Sequence, residues 1–116
     1  MAVYSVESVQ GQEHVQTVYK GKDNPIEVIL KLDGVDYDYT AAKEIRVKIG
    51  STEFDSTSDP AAFDRTEASL GKLRIFIGDL INIPAQSHNV KIEIVDQADR
   101  NLFFGSVRVR VDDPGM

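Results

Sequence analysis

The residues that could do chemistry are few and poorly placed for it. Catalysis needs a nucleophile beside a base, paired carboxylates in a cleft, or a metal. The chain has two histidines, His14 and His88, each near the start of an expected strand and neither in an H-x-x-x-H spacing. Ser51, Ser56, Ser58 and Ser69 fall in loops with no base implied, and no G-x-S-x-G is present. The absence of cysteine excludes a thiolate nucleophile, a disulfide framework and a cysteine-ligated metal. Aspartates cluster at Asp33, Asp36 and Asp38, at Asp96 and Asp99, and at Asp112 and Asp113. Calcium would want six to eight oxygens, but the spacing lacks the glutamate that closes an EF-hand loop, and turn chemistry alone accounts for the clusters. Gly71 and Gly78 bracket a strand rather than open a helix, so they read as turn glycines and not as a phosphate cradle. Tyr37 and Tyr39 form the one aromatic pair set among polar side chains that a sugar would favour; a half-buried hairpin is the plainer reading. No catalytic, cofactor or metal residue is assigned.

Composition narrows the classes further. At 116 residues the chain fits one domain. The hydrophobic share of 41% and charged share of 28% are ordinary for a globular protein. A net charge of −6 argues against a nucleic-acid partner, which would need clustered excess Lys and Arg. No apolar run reaches a membrane span, and MAVYSVESVQ has no basic region followed by an apolar stretch, so neither a membrane partner nor a signal peptide is expected.

What such residues leave legible is the set of elements that would hold them. Five segments alternate apolar and polar residues: Pro25 to Leu32, Lys43 to Gly50, Lys72 to Gly78, Asn89 to Asp96 and Ser106 to Val111. A period of two, rich in β-branched types, predicts strands with one wet face, as in antiparallel sheets. His14 to Lys20 and Ser51 to Asp55 read as weaker strands. Asp33-Gly34 signals a tight turn, and Asp96 to Asn101 a hairpin loop. The expected architecture is all-β: an antiparallel two-sheet, immunoglobulin-like β-sandwich over residues 14–112, with residues 1–13 as an N-terminal arm and 113–116 as a tail. A small β-barrel is the rival, because it also buries one face of each strand.

Two stretches fall outside the pattern. Ser56 to Leu70 has no period of two; it is either one helical turn, capped by Asp59 with Pro60 at the first position, or a long inter-sheet loop. The arm carries Val3, Tyr4, Val6 and Val9, too apolar for a solvated tail, and is read as lying along a partner or along the domain's own edge. In the partner case, deleting Met1 to Gln12 leaves the domain folded.

The outward faces say more than the loops. Seven of the thirteen basic residues occupy polar-face strand positions: Lys31, Arg46, Lys48, Arg74, Lys91, Arg108 and Arg110. If the strands holding Arg46, Lys91 and Arg108 share a sheet, then Arg46, Lys48, Lys91, Arg108 and Arg110 fall on one surface, diluted by Glu44 and Glu93. That surface is either protection against aggregation or a docking face for an acidic partner. Ile29 and Phe76 point outward on strands expected to be neighbours, marking an interface or a patch covered by Val3, Tyr4 or Val6.

From Gly21 to Val111 the order of features resembles the immunoglobulin-like domains of tailed-phage virion proteins, including the N-terminal domain of baseplate upper proteins. The matching residues are Asp23 before Ile26–Leu32, Asp33-Gly34, Ile45–Ile49, Gly71–Ile77, Ile83-Pro84-Ala85-Gln86, Val90–Asp96 and Val107–Val111. Gln86 stands where glycine is common and His88 where an aromatic often begins the strand; the cysteine pair and core tryptophan of antibody domains are absent. The resemblance implies a non-enzymatic virion structural protein. It would be a small multi-copy module docked on a phage capsid, tail or baseplate lattice through its arm and a sheet face. Its partners would be other virion proteins and copies of itself. A carbohydrate or cell-surface binding module is the alternative.

Overall fold

Period-two alternation builds two five-stranded sheets, in a computed structural model that describes residues 3–9, 16–19, 25–77 and 85–112. In chain order the strands are β1 (Tyr4–Ser8), β2 (Gln16–Tyr19), β3 (Ile26–Leu32), β4 (Val35–Asp36), β5 (Glu44–Ile49), β6 (Thr52–Asp55), β7 (Phe63–Asp64), β8 (Lys72–Ile75), β9 (Ser87–Val95) and β10 (Asn101–Asp112). The first sheet runs β1-β3-β8-β7, with β4 also on β3; the second runs β2-β10-β9-β5-β6. The sheets do not join into a barrel. They face each other as a sandwich, and their inward residues form one cluster: Val28, Leu30, Leu73 and Ile75 from the first, Ile45, Val47, Ile92, Ile94 and Val109 from the second. The fold is the expected all-β, two-sheet, immunoglobulin-like sandwich, and the rival β-barrel is set aside by the two separate sheets.

The tight turns follow from local chemistry. Asp33 and Gly34 both take positive φ, 54° and 81°, between the paired positions Leu32 and Val35. That is the type I′ hairpin turn Asp-Gly favours. Gly71 sits at φ 76° after a 3-10 turn, Ala68–Leu70. A Cβ there would lie 2.7 Å from the Leu30 carbonyl oxygen and 3.1 Å from the Tyr37 nitrogen. Glycine lets β3, the β4 exit and the start of β8 close together through Leu30 N–H to Gly71 O and Tyr37 N–H to Leu30 O, both 2.8 Å.

Three features settle or correct what the sequence leaves open. Tyr4–Ser8 of the expected arm is a strand of the sandwich, paired antiparallel with β3 from Tyr4↔Leu32 to Ser8↔Val28. Of the two placements open to the arm it takes the domain's own edge, because Tyr4, Val6 and Ser8 face inward opposite Leu32, Leu30 and Val28, which need a cover. Next, β2 runs parallel to β10, an exception to the antiparallel expectation. Last, Ser56–Leu70 holds the expected helical turn, a 3-10 turn at Pro60–Ala62 with Pro60 leading it, and adds the short β7 and a second 3-10 turn that the sequence does not announce. Asp59 occupies the cap position, but its side chain makes no capping hydrogen bond. His14, Asp113, Ile83-Pro84 and the tail 113–116 lie outside the described residues.

Candidate functional site: the outer face of the second sheet

The aspartates are occupied with the backbone. Asp38 accepts from the Thr40 N–H at 3.0 Å and hydroxyl at 2.6 Å. Asp55 accepts from the Thr57 and Ser58 amides, Asp64 from Thr66, and Asp96 from the Ala98 and Arg100 amides. These donors hold all four carboxyls below the ordinary 3.8. Asp33 accepts from the Val3 N–H at 2.8 Å. Among the described residues no three histidine, aspartate or glutamate side chains converge as a metal site. His88 faces inward, its Nδ1 3.0 Å from where a Cβ on Gly50 would sit, under the β5–β6 turn.

The tyrosine pair is turned into the molecule. Tyr39 is 1% exposed, its hydroxyl donating to the Lys72 carbonyl. The Tyr37 ring packs 6.0 Å from Tyr4 and 5.4 Å from Phe104. Tyr4 lies 5.1 Å from Phe104, edge to face, so the triad pins β1 to the second sheet. Burial pushes both phenols above their ordinary value. The hollow beside them, between Tyr37, Ala41, Asp96 and Arg100, has a volume of about 250 Å³.

The first sheet's outer face is stitched by ion pairs. Lys31 meets Glu7 at 2.9 Å, and Arg74 meets Glu27 and Asp64, each at 3.4 Å. Ile29 and Phe76 are both half-buried there. β3 and β8 are neighbours, but register places Glu27 opposite Arg74 between the two apolar side chains, so they form no continuous patch.

The second sheet brings the five basic residues together. Arg46 and Lys48 (β5), Lys91 (β9), and Arg108 and Arg110 (β10) all occupy its outward positions. Arg46 is taken up by Glu44 at 2.6 Å and Glu93 at 3.5 Å; Lys48 faces Glu53 at 3.8 Å; Arg110 holds Asp112 at 2.8 Å. Lys91 and Arg108 have no ion-pair partner among the described residues. Beside them is a residue the sequence reading missed: Phe103, opposite Glu93 and 56% exposed. An open concavity of about 610 Å³ runs across this face, lined by Arg46, Lys48, Glu53, Lys91, Glu93 and Phe103.

Phe103 faces outward because β10 carries a bulge. Register shifts between Phe103↔Glu93 and Gly105↔Ile92, with Gly105 at φ 110°. The extra residue resets the alternation, so Phe104 and Val107 both point inward and Phe103 outward. The signal was in the sequence: Leu102 and Phe104 are out of phase with Val107, Val109 and Val111, and a glycine stands at the break. Of the arm residues, Tyr4 and Val6 pack against the core, while Val3 and Val9 remain exposed.

No protein-family model matches the chain, and no curated protein matches it. Among solved structures it is similar to the fibronectin(III)-like modules of Clostridium thermocellum CbhA, at 13% identity and a TM-score of 0.48, covering 95% of this chain and 96% of that one. It is also similar to CopC from Methylosinus trichosporium OB3b, at 12% identity and a TM-score of 0.44, covering 98% and 96%.

Proposed function

We propose that the chain is a non-enzymatic structural module of a virion, held on a protein lattice by the outer face of its β2-β10-β9-β5-β6 sheet. The observation that carries the docking reading is Phe103, a large aromatic exposed on the same sheet face as Lys91 and Arg108, which have no ion-pair partner among the described residues, while the rest of that face is laced by ion pairs. Exposed aromatics ringed by polar groups mark contacts with other proteins. The virion setting is what the order of strands and turns implies by resemblance. The arm's part in docking shrinks to Val3 and Val9, since Tyr4 and Val6 are committed to the sandwich itself.

The test is the composition of particles purified from the source. The chain should be present in many copies, and Phe103→Ser combined with Lys91→Glu should fold, by circular dichroism, yet be missing from the particles. Incorporation of that variant at the wild-type level would overturn the docking face. Recovery of the wild-type chain solely outside particles would overturn the setting.

A further inference from the structure

One end of the sandwich is an acidic tip with apolar flanks. The Asp33-Gly34 turn leaves Val35 68% exposed, opposite Leu32, and sets Asp36 opposite Lys31 on the other side of the hairpin. Val3, 57% exposed, is fixed beside Asp33 by a reciprocal pair of bonds, Val3 N–H to Asp33 Oδ1 and Asp33 N–H to Val3 O, both 2.8 Å. Glu7 claims Lys31 at 2.9 Å, so among the described residues Asp36 has no closer cation than the same Lys31 at 3.9 Å. The Phe103 face has the opposite chemistry: an exposed ring, with Lys91 and then Arg108 following it on the same face, neither ion-paired among the described residues. Successive same-face positions lie about 7 Å apart along a strand; Lys91, opposite Ser106, is one such step from the ring and Arg108 a second step beyond, so the ring and Lys91 fit within the footprint of one hairpin tip.

We infer that the Val3–Asp33–Val35–Asp36 tip of one copy docks on the Phe103–Lys91–Arg108 face of a second copy. This rests on the multi-copy structural reading and names the neighbour. At a net charge of −6, two copies repel at long range; a local reversal of sign is what lets them meet in one orientation. Valines against the Phe103 ring exclude water, and Asp36 supplies the charge that Lys91 and Arg108 lack. Tip and face are different surfaces, so the contact is heterologous: each copy keeps one of each open, and contacts propagate into a ring or a filament. A hairpin tip buries much less than the roughly 800 Å² per partner of a stable pair, so the free protein associates weakly. Copies concentrated on a lattice associate fully.

Sedimentation equilibrium of the full chain tests this at low salt and about 1 mM, the range where so small a contact shows. Mass should rise with protein concentration and fall as salt screens the contact. Val35→Ser, Phe103→Ser, Asp36→Lys and Lys91→Glu should each weaken association about tenfold with the fold retained by circular dichroism. Asp36→Lys with Lys91→Glu in one chain should restore it. A monomer at every concentration overturns the contact, as does a double reversal no better than its singles or association that ignores all four substitutions. If the chain is in particles yet monomeric and unrescued, this contact fails and the setting stands. If it self-associates as described but is absent from particles, the setting fails and the contact stands.

Discussion

At the scale of single residues, side chains that look reactive in the sequence serve the backbone. Asp38, Asp55, Asp64 and Asp96 each hold two donors of a following turn, which depresses their titration below 3.8. In the unfolded chain they titrate near that value. Their contribution to stability is therefore complete above about pH 5 and is lost as the pH falls through the lower folded values. Urea midpoints measured from pH 7 down to 3 should stay level and then drop. Asp96→Asn should drop less steeply than wild type below pH 4; parallel curves would count against this role. That aspartates build turns was legible from residue type. Gln16 was not legible, since a glutamine in a short alternating segment reads as a wet-face residue. It is buried, donates to Ser8 Oγ at 3.0 Å and to the Glu27 carbonyl at 2.7 Å, and accepts from the Glu27 N–H at 2.8 Å. The side-chain amide thus acts as a peptide group, joining the start of β2 to β3 across the two sheets. Gln16→Ala removes the side-chain acceptor of the Glu27 N–H, while the Glu27 carbonyl keeps the Val9 N–H, and should cost about 1–3 kcal/mol by urea denaturation.

At the scale of elements, period two located the five main strands, and inward positions such as Val90, Ile92 and Ile94 are buried as the alternation demands. It failed where a single residue breaks phase, at the Gly105 bulge, and where a strand is half polar, at β1. The arm's apolar residues were visible; that they cover Leu30 and Leu32 depends on long-range pairing that no local pattern encodes. Deleting residues 1–9 should therefore destabilise the domain rather than release a passive tether. Tyr4→Ala alone should cost about 2–4 kcal/mol by removing one ring from the triad with Tyr37 and Phe104. An unchanged urea midpoint would return β1 to the status of an arm. Gly71→Ala should be among the most damaging small substitutions, at about 2–4 kcal/mol, because it combines a left-handed backbone with a Cβ 2.7 Å from a main-chain oxygen.

For the whole molecule, the uneven charge is the informative quantity. The chain is acidic, yet Lys91 and Arg108, without an ion-pair partner among the described residues, share one sheet face with an exposed Phe103. The shared surface of Arg46, Lys48, Lys91, Arg108 and Arg110 could be reasoned from strand order alone, while its apolar centre needed the bulge. On the proposed function, this face is buried against a neighbouring protein in the assembled particle. Hydroxyl-radical footprinting of Phe103, in the isolated chain and in purified particles, tests it most directly. Oxidation of Phe103 in the free chain and its protection in particles is the predicted result. Equal oxidation in both states would contradict it.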